Sequence, residues 1–340
     1  MNYLNTGSAE HISKTVRVLI MGLAFLAAWA SWRWVETPVR RRVCFKTRRS
    51  LFAGALSLMA LMLAAGAFIH QSEGMPGRVD PKVLQYANSG VEDRTQRAWK
   101  DNAEDAFRDT LPEFGKKTMG TADRVLLWGD SHAMVLIPVV AAWCEEQGST
   151  GLIAANSATV PMLGYYRSTR TGLDSRGPAW ASAVLDIIKK RRIPDTILTA
   201  YWKESTGKDP AAFSQALLET VRQLRSTGTR VWIVLDVPEI TFDVPKALAL
   251  HQMLPRLIQD PRQQATTRAT HLKNNRALVQ LIPELEKAGA TILDPAPCLF
   301  DSTERTLIEK DGRSLYSDDH HLTIEGTLRL KTLFTPVFKP

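Results

Sequence analysis

Two long apolar stretches dominate the first 70 residues of the chain. They cover about residues 15–34 and 51–69, and the second carries no charged residue. Each is close to the ~20 residues that a helix needs to cross the hydrocarbon core of a bilayer. Because both runs are long and the second follows the first, neither has the form of a cleaved signal peptide. The pattern predicts two transmembrane helices within residues 1–70.

The hydrophobic pattern changes after residue 70. Residues 71–120 are polar and irregular, which predicts a linker and a peripheral helical segment. From residue 121 onward, short apolar runs alternate with longer helical stretches, which tend to end in basic residues and a glycine as helix C termini do. The short runs have the form of strands buried on both faces, and they cover residues 125–128, 151–155, 196–200, 231–236 and 291–294.

This alternation predicts a three-layer α/β/α domain over residues 121–340, built on a parallel five-stranded sheet with helices on both faces. The segment 239–270 shows no clear strand, and we expect it to form a lid or a side excursion. In open parallel sheets, functional groups gather beyond the carboxyl ends of the strands. We therefore expect the functional residues to follow the carboxyl ends of the predicted strands.

The charge distribution argues for a membrane orientation and against nucleic-acid binding. The formal net charge is +8, but residues 1–70 hold nine basic and two acidic side chains, whereas residues 71–340 are nearly balanced. Most of the excess lies between the two apolar stretches, and basic loops of this kind stay in the cytoplasm. We therefore expect a two-pass protein of the bacterial inner membrane, with everything after His70 in the periplasm or otherwise outside the cytoplasm.

Three cysteines add little to this picture. Cys44 falls in the predicted cytoplasmic loop, where it should stay reduced. Cys144 and Cys298 lie in the exported part and have the opportunity to pair. Sequence alone leaves open whether they form a disulfide or are two separate small buried residues.

A serine follows the first predicted strand. The strand stops at Gly129, and Asp130, Ser131 and His132 come just before a helix. A serine becomes a nucleophile when a base removes its proton and a third group holds that base. The alternative is that Ser131 only caps the helix, a role that serine and aspartate fill well.

The base and its partner are predicted near the C terminus, in the stretch SLYSDDHHLTIEG. His321 and Asp318 are three residues apart, so one turn can hold the carboxylate against the imidazole. Asp319 and His320 are adjacent, and we expect their side chains to diverge. We expect no metal, because adjacent histidines point apart and no further ligand occurs at a useful spacing. No cofactor is predicted.

These residues carry a resemblance to the SGNH (GDSL-type) hydrolase superfamily. VLLWGDSHA together with LYSDDHHLT resembles the SGNH domain of bacterial type 3 membrane acyltransferases, and AAWASWRWVETPVRRR resembles the end of the last helix of their membrane domain. The resemblance implies that Ser131 is the nucleophile, His321 the base and Asp318 its partner. It also implies O-acylation, usually O-acetylation, of a cell-surface or periplasmic polysaccharide.

The residues that would stabilise an oxyanion match the superfamily less closely. The N–H of Ser131 is one candidate, and the loop after the second strand offers Gly164 or Asn156. Trp202 stands where superfamily members place an asparagine, as in the acyltransferase-linked subgroup, and the sequence leaves it open between an oxyanion element, a packed aromatic and a platform for sugar stacking. The cysteine that this subgroup often carries is Thr159 here, which leaves Cys298 without its usual kind of neighbour.

Two functions use the same three residues. The first is acyl transfer to a polysaccharide, with an acyl donor delivered by a membrane acyltransferase domain that this chain lacks; the chain would then be a piece or split partner of a longer enzyme, or a tethered domain. The second is a membrane-anchored carbohydrate esterase. A third reading is a degenerate glycan-binding partner, against which the complete set of Ser131, His321 and Asp318 argues.

Overall fold

The structure is a computed structural model, and it describes residues 14–43, 45–96, 101–116, 123–206 and 209–339. The chain divides into two compact units, Met1–Leu84 and Gln85–Pro340. Cys44, expected to be a reduced cytoplasmic thiol, lies outside the described residues.

The first unit contains two long helical stretches. Helix α1 (Lys14–Ser31) continues through a π-helical turn (Trp32–Glu36) into the short α2 (Thr37–Arg40), and α3 covers Arg48–Gln71. Two spans in these helices, Val18–Arg40 and Arg48–Gln71, are long and apolar enough to cross a membrane, and their side chains are not buried within the protein. They fit the predicted membrane anchoring. A capping box between Thr47 and Ser50 fixes the start of α3.

The second unit is built on a six-stranded sheet. The strands are β1 (Glu113–Gly115), β2 (Asp123–Gly129), β3 (Thr150–Ala155), β4 (Asp195–Thr199), β5 (Arg230–Val234) and β6 (Ala290–Leu293), and a separate hairpin holds β7 (Glu309–Lys310) and β8 (Arg313–Ser314). The spatial order in the sheet is β1-β3-β2-β4-β5-β6. Neighbouring strands pair in parallel, except that β1 pairs with β3 in antiparallel fashion.

The parallel α/β architecture is confirmed, with one correction. The five predicted strands form the parallel part of the sheet, but β1 adds a sixth strand from a region predicted to be only linker and peripheral helix. Phe114 of β1 lies over Gly151 of β3, where even a β-carbon would come within 2.4 Å of the phenyl ring. The absence of a side chain at Gly151 therefore admits the edge strand.

Helices cover both faces of this sheet. The helices after α3 are α4 (Pro81–Gln96), α5 (Ala103–Arg108), α6 (Ser131–Glu146), α7 (Gly177–Arg191), α8 (Trp202–Ser205), α9 (Pro210–Ser226), α10 (Val244–Met253), α11 (Arg268–Asn274), α12 (Arg276–Lys287), α13 (Ile324–Leu328) and α14 (Thr335–Phe338). Leu126 and Trp128 belong to a large apolar cluster that includes residues of α5, α7, α9 and α12, whereas α6 packs against β2, β3 and β4.

The segment 239–270 leaves the sheet, as its lack of a strand pattern predicts. It contains α10, a 3₁₀ turn at Pro261–Gln264 and the start of α11, and it contributes no strand to the sheet. Backbone hydrogen bonds connect its first residues to the loop before α13: the N–H of Ile240 donates to the carbonyl of Asp319, and that of Val244 to the carbonyl of Asp318. The excursion therefore supports the loop that carries the predicted base.

Candidate active site

Ser131 is placed by a tight turn between β2 and α6. Gly129 ends β2 so close to β4 that a β-carbon there would lie 1.7 Å from the carbonyl oxygen of Thr199. Asp130 then caps α6, its carboxylate accepting the N–H of His132 at 2.8 Å. The cap is thus Asp130, and Ser131 is the first residue of the helix. The first N–H groups of a helix have no acceptor within it, which leaves the N–H of Ser131 available to a ligand.

Asp130 also ties this turn to the next strand. Its second carboxylate oxygen accepts the N–H of Tyr201 at 2.9 Å, just after β4. Burial raises the pKa of Asp130, although both backbone N–H groups favour its charged form. Since both oxygens bond to the backbone, Asp130 fixes the geometry around Ser131 and is not a second base.

The structure brings Ser131, His321 and Asp318 into one hydrogen-bonded chain. His321 Nε2 lies 2.8 Å from Ser131 Oγ, and His321 Nδ1 lies 2.7 Å from Asp318 Oδ2. Since a carboxylate only accepts hydrogen bonds, Nδ1 carries the proton and Nε2 presents a lone pair to the serine hydroxyl. This is the arrangement in which an imidazole can take the proton of a serine that attacks a carbonyl carbon.

Asp318 is held as an anion. Burial raises its pKa, but the hydrogen bond from His321 and the charges of His321 and His320 outweigh that effect and hold the pKa well below its usual range. Its other oxygen accepts the backbone N–H groups of His320 and His321 at 2.9 and 2.7 Å. The carboxylate therefore both orients the ring and shapes the loop.

The expectations that Asp319 and His320 diverge and that His320 and His321 point apart are both wrong. The ring centroids of the two histidines are 4.1 Å apart, and His320 Nδ1 lies 2.6 Å from Asp319 Oδ1. The loop wraps around Asp318 instead of extending as a strand, so adjacent side chains reach the same side. His132 joins them, with its ring centroid 5.0 Å from that of His321.

His132, His320 and His321 each offer a nitrogen atom, and these atoms lie within 4.8 Å of one another. This is a larger set of potential metal ligands than we expected from the sequence. In the described structure, both Nδ1 atoms of His320 and His321 bond to aspartates, and His321 Nε2 bonds to Ser131. Both nitrogens of His321 and Nδ1 of His320 are therefore engaged in hydrogen bonds. The expectation of no metal stays a prediction.

Trp202 does not provide an oxyanion donor in this structure, which corrects the expectation from the sequence. Its side chain is fully buried, and the indole N–H donates to the carbonyl of Val234 at 2.8 Å. Its backbone N–H donates to the carboxylate of Asp236 at 2.9 Å. Both donors are committed because the end of β5 lies directly beside this residue.

The loop after β3 supplies no clear donor either. Asn156 is buried, with its amide donating to Thr159 Oγ1 at 3.2 Å and its N–H to the carbonyl of Gly129 at 3.1 Å. Gly164 is exposed in a loop whose neighbours Leu163 and Tyr165 bond to α9 and α8. Among the described contacts, none joins Gly164 to Ser131. The N–H of Ser131 is the expected donor that the structure leaves in place.

Cys144 and Cys298 are both free thiols, so the described structure contains no disulfide between them. Cys144 is buried, and burial raises the pKa of its thiol to about 12. It therefore behaves as a small core side chain, one of the two alternatives that the sequence left open.

An α/β domain with a Ser-His-Asp chain beyond the carboxyl ends of a parallel sheet is of the serine-hydrolase type. Residues 95–336 match the family described as the SGNH domain fused to AT3 domains, and this chain belongs to that family. No curated protein sequence matches the chain.

Solved structures with a similar fold include the periplasmic domain of a lipopolysaccharide acetyltransferase from Salmonella ser. Paratyphi A. It shares 17% identity with a TM-score of 0.54, over 75% of this chain and 95% of that domain. An acetyl-xylooligosaccharide esterase from Geobacillus stearothermophilus matches over 66% of this chain and 97% of its own, with 14% identity and a TM-score of 0.34. The first likeness shows the fold, and the second is too distant to add to it.

Proposed function

We propose that the chain transfers an acyl group, most simply acetyl, to a hydroxyl of a cell-surface or periplasmic polysaccharide. The observation that carries the proposal is the chain of two hydrogen bonds, 2.8 Å from Ser131 Oγ to His321 Nε2 and 2.7 Å from His321 Nδ1 to Asp318. Family membership and the similarity to the periplasmic domain of the Salmonella lipopolysaccharide acetyltransferase support the choice of reaction.

The reaction proceeds in two halves. Ser131 loses its proton to His321 Nε2 and attacks the carbonyl carbon of the donor, and the leaving group departs with that proton. The result is an acyl ester on Ser131. A sugar hydroxyl then gives its proton to His321 and attacks the ester, and the proton returns to Ser131 as the acylated sugar leaves. Asp318 stabilises the imidazolium form of His321 in both halves.

The two apolar helices support a membrane location for this activity. With the basic segment between them in the cytoplasm, the second unit stands outside the inner membrane, where the polysaccharide acceptor is found. The acyl donor would then come from a membrane acyltransferase domain. Water in place of the sugar hydroxyl would turn the same residues into an esterase.

The proposal is tested with the full chain in detergent micelles, p-nitrophenyl acetate as donor and a purified surface glycan as acceptor. Nitrophenol release is followed by absorbance and acetylated sugar by mass spectrometry. Ser131→Ala is the variant, and Ser182→Ala, an exposed serine on α7, is the matched control. We expect acetylated glycan from the wild type and the control only.

Each outcome has a defined meaning. Ser131-dependent release of acetate without acetylated sugar would replace the transferase by the esterase. Release that persists unchanged in Ser131→Ala would overturn the proposed role of Ser131 and favour a binding function.

A further inference from the structure

The acyl-transfer chemistry needs donors that the expected residues do not provide. Each half of the reaction passes through a tetrahedral intermediate with a negatively charged oxygen, which preorganised donors stabilise. The donors of Trp202 are committed to Val234 and Asp236, and Gly164 has no described contact with Ser131. The N–H of Ser131 alone would leave this oxygen with a single donor. The polar groups around His321 are the candidates for a second donor.

His320 stands beside His321 and over the turn that follows β4. Its ring centroid is 4.1 Å from that of His321 and 4.8 Å from that of Tyr201, whose ring is nearly parallel to it at 14°. A ring nitrogen of His320 lies within 4.8 Å of one of His321. Because Tyr201 lies just after β4, His320 stands at the carboxyl end of this strand, beside the predicted base.

Asp319 determines which nitrogen of His320 faces outward. Because the carboxylate accepts from Nδ1 at 2.6 Å, Nε2 is at the free end of the ring. In the part of the chain that the structure describes, Nε2 has no hydrogen-bond partner, and 24% of the side chain is exposed. The hydrogen bond to Asp319 and the stack on Tyr201 hold the ring in this orientation.

The charge of His320 determines whether its Nε2 donates a hydrogen bond or acts as a second base. Burial lowers the pKa of His320, but the hydrogen bond to Asp319 and the charges of Asp318, Asp319 and Glu239 outweigh it and raise the pKa. In the protonated ring, Nε2 carries a hydrogen and donates. Two aspartates next to two imidazoles also balance the charge when His321 takes up the serine proton. A neutral His320 would instead offer Nε2 as an acceptor.

We propose that His320, oriented by Asp319, donates its Nε2–H to the negatively charged oxygen of the tetrahedral intermediate formed on Ser131. The inference rests on the proposed acyl transfer and adds a catalytic residue to it. The proposed hydrogen bond from His320 would serve any acyl ester whose carbonyl oxygen becomes an oxyanion, and it requires no sugar-specific contact.

The test measures His320→Ala and His320→Gln in the full chain in detergent, with p-nitrophenyl acetate. Loss of one oxyanion donor typically lowers kcat by about 100-fold or more, and we expect that loss in His320→Ala with KM nearly unchanged. The Gln side chain keeps an N–H donor without a base, so His320→Gln should recover part of the rate. His251→Ala, a histidine of α10 that bonds to the carbonyl of Ile258, is the matched control.

Inhibition by methylboronic acid provides a readout that a merely structural role would not change. A boronic acid forms a tetrahedral anionic adduct with the serine and so reports on the oxyanion environment. We expect the inhibition constant to rise in His320→Ala roughly in parallel with the loss of kcat. Thermal unfolding of each variant shows whether the fold is retained.

Three results would overturn the inference. Either kcat stays within about twofold of wild type in His320→Ala, or kcat falls with unchanged boronate inhibition, or His320→Gln is as inactive as His320→Ala in a folded protein. A wild type without Ser131-dependent turnover would instead refute the proposed function, and this inference with it. A wild type that turns over while His320→Ala matches it refutes the inference alone.

Discussion

Replacing Asp236 by asparagine tests whether burial or hydrogen bonding controls the pKa of this carboxylate, which bonds to the turn after β4. The carboxylate of Asp236 is buried just beyond β5 and accepts the backbone N–H groups of Trp202 and Lys203 at 2.9 and 2.8 Å. Burial raises the pKa of Asp236 to about 7, against the effect of these two hydrogen bonds, and the nearby charges of Asp130 and Glu239 act in the same direction as burial.

The sign and the size of the effect follow from that pKa. The folded protein holds a proton on Asp236 that the unfolded chain releases near a pKa of about 3.9, so the free energy of unfolding decreases as pH rises between these two values. The difference corresponds to about 4 kcal/mol. Asparagine cannot titrate. The stability of Asp236→Asn relative to wild type should therefore increase by about 4 kcal/mol from about pH 4 to about pH 7.

The assay is urea unfolding of the full chain in detergent, followed by tryptophan fluorescence at several pH values across this range. Asp186→Asn is the matched control, because Asp186 is an exposed carboxylate on α7 and its curve should run parallel to wild type. Parallel curves for Asp236→Asn would refute the reasoning. They would mean that the two N–H groups hold Asp236 ionised and that burial does not control its charge.

Two further predictions concern single carboxylates. Asp318→Asn should leave the protein folded but lower kcat by about 1,000-fold or more, because the ring of His321 loses the carboxylate that fixes its tautomer, and steady-state kinetics with p-nitrophenyl acetate would detect it. Asp195 is buried at the opposite end of β4 and accepts from Arg230 Nε at 2.7 Å and from the indole of Trp232 at 2.9 Å. Asp195→Ala should lower the free energy of unfolding by about 1–3 kcal/mol, because it leaves the buried indole N–H of Trp232 without its acceptor, whereas the partly exposed Arg230 can bond to water. Unchanged kcat below the unfolding temperature would show that this effect is confined to stability.

The parallel strands could be predicted from the sequence because burial on both faces leaves a continuous apolar run. Residues 125–128 lie inside β2, and the runs at 151–155 and 291–294 overlap β3 and β6. The edge strand β1 could not be predicted. It has three residues and one buried side chain, too few for any periodicity, and it exists because a glycine in β3 makes room for it.

The candidate site likewise contains residues that the sequence predicts and residues that only the fold brings into place. Ser131 lies at a strand end, and Asp318 and His321 are three residues apart, so local rules suffice to expect their roles. The position of His320 depends on a loop shape that a hydrogen bond from Ile240 maintains, far away in the sequence. Trp202 occupies the right place along the chain, but its donors bond to the end of β5, which only the folded sheet brings near.

The loss of a donor at Trp202 has a physical cause in two buried carboxylates. Asp130 accepts the N–H of Tyr201, and Asp236 accepts those of Trp202 and Lys203, so three consecutive backbone donors after β4 point into the protein. Hydrogen bonds between buried groups of this kind fix the turn, because leaving any of these donors unsatisfied would be costly. These three N–H groups are therefore not available to a substrate. The turn presents the ring of Tyr201 to the site. This ring stacks on His132 and His320 and so holds these two histidines beside Ser131.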